Sequence, residues 1–333
     1  MHYRDLYNAL RVVSWTGKGG LYVSYILFLI LTLFPESIAM QNAAPLLGHG
    51  VCFSSPEGWK IGSGLSLWLN ILLLSLAGFF SVFFTKRSNF LAPDNQVYAI
   101  ALFMMCGATP MVTERLNSGV FLLALLLICF HMLFGLYGRR NCPEQVFIVF
   151  SLLSFGSMWQ YGFMLLIPVM VLATLFLNIL RPKEIVALIL GVITPYWIFI
   201  ALGIVSFSEF HMPSLTNLFR GAEPVADVVQ MIVTLSITAI LFIVALIFNN
   251  MAPASEGAMQ RARRSIIHLV GFALLWFMVF DFTNMLTYMP AFFLCTGYEC
   301  ALWCRLMRLE QRLIFAFSII VGYLLLTIVF GCL

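Results

Sequence analysis

The sequence predicts an all-α polytopic membrane protein, a transmembrane helical bundle of about eleven spans with a cytoplasmic N-terminus. Of its 333 residues, 62% are hydrophobic and 10% are charged, against about 45–50% and about 25% in soluble domains. Apolar runs near the roughly 20 residues that cross a bilayer recur along the chain. Lys and Arg residues lie mainly in alternate loops, which the positive-inside rule places in the cytoplasm.

The first part of the chain predicts a surface helix followed by a first span. Residues 2–14 carry apolar side chains at helical spacing, which is typical of a short helix on the cytoplasmic face of the membrane. The first span follows at about 20–38. Ser37–Ala39 resembles a signal-peptide cleavage site, but the many later spans favour an uncleaved helix. We therefore expect an interfacial segment at 1–19 and one transmembrane domain at 20–333.

Ten further apolar runs predict the other spans. They lie at about 61–84, 92–111, 117–137, 143–160, 162–180, 184–206, 227–249, 265–283, 285–303 and 313–332. No charge occurs between Val146 and Leu180, and these 35 residues would make about 52 Å of helix, which is too long for one crossing. A tight turn at Trp159–Gly162 is expected to divide this stretch into two spans.

The segment at 285–303 has two interpretations. Pro290, Gly297 and Glu299 would suit a re-entrant segment as well as a crossing helix. If the segment crosses, 15 of the 18 Lys and Arg residues lie inside, and if it does not cross the split falls to 12 against 6. The positive-inside rule therefore favours a crossing helix and an external C-terminus.

Composition and motifs exclude several classes of function. The net charge of +4 is too small and too dispersed for a nucleic-acid surface, so the lipid bilayer is the expected partner. The chain has no phosphate-binding loop and no paired CxxC, HExxH or GxSxG motif, which argues against ATP-driven transport by this chain alone. Cys300 and Cys304 share a helical face, but without a second ligand cluster we expect core thiols, no metal site and no cofactor.

Glu36 follows the first span on the outside and is the candidate catalytic residue. Polytopic glycosyltransferases that use lipid-linked sugars carry an essential external carboxylate just after their first span. Arg115 or Arg220 would be available to pair with the phosphate of such a donor. The alternative is that Glu36, beside Pro35, only marks the water interface at the end of a helix.

Six residues are candidates for substrate binding or proton transfer. Glu114 and Arg115, with Arg220, are candidate substrate-binding residues, although an acid and a base in a short external turn can also be a solvated connection. Asp281 and Glu299 are the acids nearest the membrane interior, where ionisable groups often form proton relays. His268 would extend such a relay. The alternatives are that Glu299 is only hydrogen-bonded within the bundle and that His268 lies at the inner interface.

The stretch from Asn141 to Phe199 has a distinctive pattern. Its characteristic residues are Phe147–Leu153, Arg181–Glu184 and Gly191–Tyr196. The pattern resembles a family of uncharacterised polytopic inner-membrane proteins of Bacteroidota, some of which carry a beta-carotene monooxygenase label. The resemblance implies a location in the inner (cytoplasmic) membrane of a Gram-negative envelope and implies no catalytic residues. The five histidines show no spacing that would build the iron site of an oxygenase.

These observations leave three hypotheses for the function. The first is a non-enzymatic component of cell-envelope assembly or export that acts through other envelope membrane proteins, because the loops are short and chemical motifs are absent. The second is a glycosyltransferase-like enzyme that uses a lipid-linked substrate at the outer face, with Glu36 and either Arg115 or Arg220. The third is a proton-coupled transporter that uses Glu299 and Asp281. We place the envelope component first.

Overall fold

The protein is an all-α structure, as predicted. The computed structural model describes residues 18–33, 50–88, 91, 96–139, 141–206, 225–251 and 257–331. These residues form twelve α-helices and two 3₁₀-helices, Pro56–Gly58 and Phe282–Asn284, and contain no β-strand. The α-helices are α1 (Lys18–Leu33), α2 (Ser63–Ser88), α3 (Val97–Gly107), α4 (Pro110–Thr113), α5 (Ser118–Phe134), α6 (Pro143–Ser157), α7 (Gly162–Phe176), α8 (Pro182–Ala201), α9 (Val225–Asn250), α10 (Ala258–Phe280), α11 (Met285–Leu306) and α12 (Leu309–Gly331). All except α4 lie on the predicted apolar runs. The predicted surface helix at 2–14 lies outside the described residues.

Several of these helices have the size of membrane spans. Five are long and apolar enough to cross a bilayer by length and composition, namely Ser63–Arg87, Pro182–Ala201, Val228–Asn250, Ala258–Phe280 and Glu310–Phe330. The helices α1, α3, α5 and α7 are also apolar but have 10–17 residues. Length and hydropathy together indicate a multi-pass membrane protein.

The predicted span at 92–111 is interrupted after Gly107. There α3 ends, and α4 begins at Pro110, whose fixed φ and missing N–H suit the first position of a helix. The carbonyl oxygen of Ala108, between the two helices, accepts a hydrogen bond from Gln230 Nε2 of α9 at 3.0 Å. The break is thus supported by a side chain from a distant helix, which the local sequence does not predict.

Two helices, α3 and α11, form the centre of the bundle. Every residue of α3 is buried, as are 18 of the 22 residues of α11. Because α11 packs against α3, α5, α9 and α10, apolar side chains surround its whole circumference. A Cβ atom on Gly297 of α11 would lie 2.6 Å from the carbonyl oxygen of Tyr98 in α3. The two central backbones are therefore in direct contact.

The disputed segment is one continuous helix that passes through Pro290. With 22 residues, α11 is about 33 Å long, close to the thickness of the hydrocarbon core. Proline has no N–H to donate to the carbonyl of Leu286. At that point α5 approaches closely, since a Cβ on Gly119 would lie 2.4 Å from the Leu286 carbonyl oxygen. The proline and glycine of this segment mark the contacts of α11 with its neighbours.

The stretch that carries the family resemblance forms a close pair of helices, α6 and α8. A Cβ on Gly191 of α8 would lie 2.7 Å from the carbonyl oxygen of Phe147 in α6. From α6, Ser151 Oγ donates to the carbonyl of Gly191 at 3.2 Å, and Ser154 Oγ donates to that of Val192 at 2.6 Å. Helix packing through small and hydroxyl side chains therefore accounts for part of this pattern.

The turn predicted at Trp159–Gly162 is confirmed, because α6 ends and α7 begins on either side of it. The loop that precedes α2 pairs with this turn. In that contact the backbone N–H of Phe53 donates to the carbonyl of Met158 at 2.9 Å. The pairing holds the 3₁₀-helix that contains Glu57 against the end of the bundle.

Positive charge is concentrated at one end of the bundle, which we call the basic end. Contacts between helix ends define it: Arg263 of α10 binds the last carbonyl of α5, and Arg264 binds the carbonyl of Asn249 near the end of α9. Of the fourteen described Lys and Arg residues, twelve lie at this end: Lys18, Lys86, Arg87, Arg139, Arg181, Lys183, Arg261, Arg263, Arg264, Arg305, Arg308 and Arg312. The other two, Lys60 and Arg115, lie at the opposite end.

Candidate functional site

Glu299, on the central helix α11, is the acid that the fold encloses most completely. Its side chain is 0% exposed. Its Oε2 atom accepts a hydrogen bond from Asn249 Nδ2 at 2.8 Å, and the same nitrogen donates to the Glu299 backbone carbonyl at 3.0 Å. Because Asn249 lies at the end of α9, one amide ties that helix to both the side chain and the backbone of α11.

The other oxygen of the carboxyl group faces His268 of α10. His268 Nε2 lies 3.1 Å from Glu299 Oε1, which is the separation of an ion pair. Apart from this contact, neither atom has a hydrogen-bond partner among the described residues. Two lone pairs would repel each other at this distance, so one of the two atoms must carry a proton. The His268 side chain is 16% exposed, and it therefore links the buried carboxyl group to the outside of the bundle.

Two arginines at the start of α10 hold the surroundings of this pair. Arg264 Nη1 donates to the backbone carbonyl of Asn249 at 3.1 Å. Arg263, which is buried, donates through Nε and Nη2 to the carbonyl of Phe134 at 2.9 and 2.7 Å. These contacts fix α10 against α5 and α9 and so fix the position of His268. Arg264 also lies one turn from His268, which brings positive charge near the site.

This arrangement joins three helices through a single carboxyl group. Burying an ionised carboxylate is costly unless charged or polar partners compensate for the lost water, and here the partners come from α9 and α10. A change in the protonation of the pair therefore alters the contacts of α11 with its neighbours. The site has the chemistry to bind and release a proton and to pass the change on to helix packing.

Asp281, the other acid of the predicted relay, lies at the opposite end of the bundle. It follows the last residue of α10 and accepts hydrogen bonds from Asn284 Nδ2 and from the Tyr288 hydroxyl, each at 2.8 Å. Between Met285 and Glu299, α11 rises by about 21 Å. The structure therefore does not bring Asp281 and Glu299 together, and the two acids belong to separate polar clusters.

The candidates for the outer-face reaction are only partly described. Glu114 and Arg115 lie directly after α4 at the opposite end, and both are partly buried. Glu36 and Arg220 lie outside the described residues. The catalytic arrangement of Glu36 with Arg115 or Arg220 therefore stays a prediction.

Sequence reasoning missed the amides that complete the two polar clusters. Asn249 ends an apolar run, where an amide usually faces water, yet it is 2% exposed. Gln160 lies in the turn that divides the long uncharged stretch and is also 2% exposed. Polar residues within or next to long apolar runs were the available signal. For His268 the sequence left two positions open, one in a relay with Glu299 and one at the inner interface, and the structure places its Nε2 atom against Glu299.

Comparisons with known proteins give no family for this chain. No family model matches it, and neither the curated proteins nor the solved structures contain a significant match. Within the described residues, no three His, Cys, Asp or Glu side chains are grouped as a metal site would require. The buried pair of Glu299 and His268 is therefore the feature from which a function is best inferred.

Proposed function

We propose that this protein is a proton-coupled transporter of the bacterial inner membrane, in which Glu299 and His268 form the proton-binding site. The observation that carries the proposal is the fully buried carboxyl group whose two oxygens contact two different helices. Ionisable groups within membrane helices are rare and usually mark a substrate pathway or a proton site. A passive packing role needs no titratable pair, and apolar side chains would fill the same space at lower cost.

The contacts of the site suggest how proton binding is coupled to movement. With one proton on the pair, His268 and Glu299 attract each other as imidazolium and carboxylate. A second proton converts the carboxylate into a neutral acid and ends this attraction. The link between α10 and α11 then weakens, while Asn249 keeps its hydrogen bond to the Glu299 backbone carbonyl. Proton binding therefore favours a different packing of α10 on α11.

The proposed topology has eleven crossings, with the basic end in the cytoplasm. The asymmetry of Lys and Arg between the two ends supports this orientation under the positive-inside rule. The length of the continuous α11 supports the tenth crossing, because it matches the hydrocarbon core, but α11 is not one of the five helices that are also apolar enough by composition. In this orientation the partly exposed His268 lies on the cytoplasmic half of the bundle.

Cysteine labelling tests the orientation. Lys60→Cys and Arg308→Cys place thiols at exposed positions on the opposite and basic ends. A membrane-impermeant maleimide should label Lys60→Cys in intact spheroplasts, whereas Arg308→Cys should react only after permeabilisation. Labelling of Arg308→Cys in intact spheroplasts would contradict a cytoplasmic basic end.

The native cysteines give little background in this experiment once Cys52 and Cys332 are replaced by serine. The other six cysteines are described by the structure, and all six are buried. Cys142, in the loop before α6, is the one nearest water. Burial raises the pKa of its thiol, and the nearby Glu184 carboxylate raises the pKa further. Because the thiolate is the reactive form, this residue should label slowly.

Glu299→Gln tests the transport function. The amide keeps the shape of the side chain but cannot exchange a proton, so proteoliposomes with the variant should lose accumulation driven by a pH gradient. Exchange of the same solute without a gradient should continue, because only coupling is removed. Uptake is measured for radiolabelled ethanolamine, glycerol, glucose and alanine. In addition, the infrared difference spectrum between two pH values should lack, in Glu299→Gln, one carboxylic-acid band that the unmodified protein shows.

Glu310→Gln is the matched control, since Glu310 is an exposed acid at the basic end. It should accumulate solute as the unmodified protein does. Equal gradient-driven accumulation in Glu299→Gln would refute the proposed proton site. If the unmodified protein accumulates none of the four solutes, the transport proposal is rejected in favour of the envelope-assembly hypothesis. No contact among the described residues supports that hypothesis.

A further inference from the structure

A second polar cluster lies at the opposite end of the bundle, and the mechanism above does not use it. It joins the 3₁₀-helix before α2, the start of α5, the turn between α6 and α7, and the start of α11. We call it the Gln160 network, and its members are Glu57, Ser118, Gln160, Asp281, Asn284, Thr287 and Tyr288. Seven polar side chains in one hydrogen-bonded chain exceed what is needed to cap these helix ends.

The direction of each hydrogen bond follows from the ends of the chain. Glu57 Oε1 accepts from both the backbone N–H and the hydroxyl of Ser118, each at 2.7 Å. With its proton used in this way, Ser118 must accept from the Thr287 hydroxyl, which lies 2.7 Å away. Thr287 in turn accepts from Gln160 Nε2 at 3.1 Å. All donors on this branch point from Gln160 towards Glu57.

The other branch runs to the second carboxyl group. Gln160 Nε2 also donates to Asn284 Oδ1 at 2.8 Å. Asn284 Nδ2 donates to Asp281, as does the hydroxyl of Tyr288. Both N–H groups of Gln160 are therefore committed, and every donor named on this branch points towards Asp281.

Two acceptor atoms of the network have no donor among the described residues, namely Gln160 Oε1 and Glu57 Oε2. Gln160 is 2% exposed, and a buried acceptor that makes no hydrogen bond calls for an explanation. Both unpaired oxygen atoms are buried, and Glu57 is the less buried of the two residues, so a ligand would enter from its side. A molecule that binds here must bring donors, because the network has already used its own.

We propose that the Gln160 network binds a primary ammonium group of a small hydrophilic solute. An ammonium ion offers three N–H donors and a positive charge, which suit one carboxylate oxygen and one amide oxygen. Carboxylates end both branches, and the described positive charges at this end are few. In naming the solute as a substrate, the inference rests on the proposed transport function. Binding itself does not require transport.

Calorimetry on the purified full-length protein in detergent tests this site with three probes. Ethanolamine carries N–H donors and a charge, choline carries the charge without N–H donors, and glycerol carries donors without the charge. Ethanolamine should bind about tenfold or more tightly than either of the other two. Glu57→Gln should weaken ethanolamine binding by about tenfold or more, because it replaces the unpaired carboxylate oxygen and removes the charge.

Glu144→Gln is the control, since Glu144 is an exposed acid at the basic end, and it should bind ethanolamine unchanged. Equal binding of choline, equal binding of glycerol, or no binding of ethanolamine would each overturn the proposal; in the last case water is the partner of Gln160. The probe comparison uses the unmodified protein, so it stands even if Glu57→Gln fails to fold. Glu299→Gln should still bind ethanolamine, which separates failure of this site from failure of proton coupling.

Discussion

Gly297→Ala is expected to destabilise the protein by about 3 kcal/mol. The added Cβ would lie 2.6 Å from the Tyr98 carbonyl oxygen and 3.2 Å from the Tyr98 Cα. These are backbone atoms of α3, so no side chain can rotate away to make room. Relief requires α3 and α11 to separate, which would loosen the packing of the two central helices. Unfolding by SDS in mixed micelles, followed by circular dichroism, measures the change.

Gly322→Ala provides the matched control in α12. Nothing lies within 4 Å of the position that its Cβ would occupy. Alanine is favoured over glycine in a helix by about 1 kcal/mol, so this variant should be neutral or slightly more stable. The same substitution is therefore expected to lower the stability of the protein at Gly297, where the steric contact dominates, and to leave it unchanged or raise it at Gly322, where helix propensity dominates. If both variants were stabilised, α3 and α11 would not be in direct backbone contact.

The sequence predicts the positions of the helices well and their neighbours poorly. Apolar runs and the turn at Trp159–Gly162 follow from hydropathy and length, which are local properties. The roles of Pro290 and Gly297 could not be predicted in this way, because they depend on residues far away in the sequence. Pro290 lies against Gly119, and Gly297 lies against Tyr98. No local pattern distinguishes a glycine that bends a segment from one that admits a neighbouring helix.

The same limit applies to the two polar clusters. Glu299 could be identified because an acid within an apolar run is unusual. Its partners Asn249 and His268 come from two other helices, and their spacing along the chain carries no sign of the contact. Glu57 was one acid among several in the outer loops. Its contact with Ser118, 61 residues further along the chain, brings it into the network with Gln160.

His268→Leu is expected to destabilise the protein by about 3–5 kcal/mol, because it leaves a buried carboxyl group without its charged partner. Glu299→Leu should cost less, about 1–3 kcal/mol, since a neutral imidazole without a hydrogen bond is cheaper to bury than a carboxylate. In that variant Asn249 reduces the loss of stability. Its amide still donates to the backbone carbonyl of residue 299, at 3.0 Å in the present structure.

The double variant decides whether the two side chains act as a pair. Adding Glu299→Leu to His268→Leu should restore part of the lost stability, because the buried charge is removed together with its partner. A double variant whose loss of stability equals the sum of the two single losses would show that the two residues are not coupled. In proteoliposomes the same double variant should accumulate no solute under a pH gradient, despite its recovered stability. Stability would then return without coupling, and the contact between His268 and Glu299 would be needed for proton transfer and not for holding the bundle together.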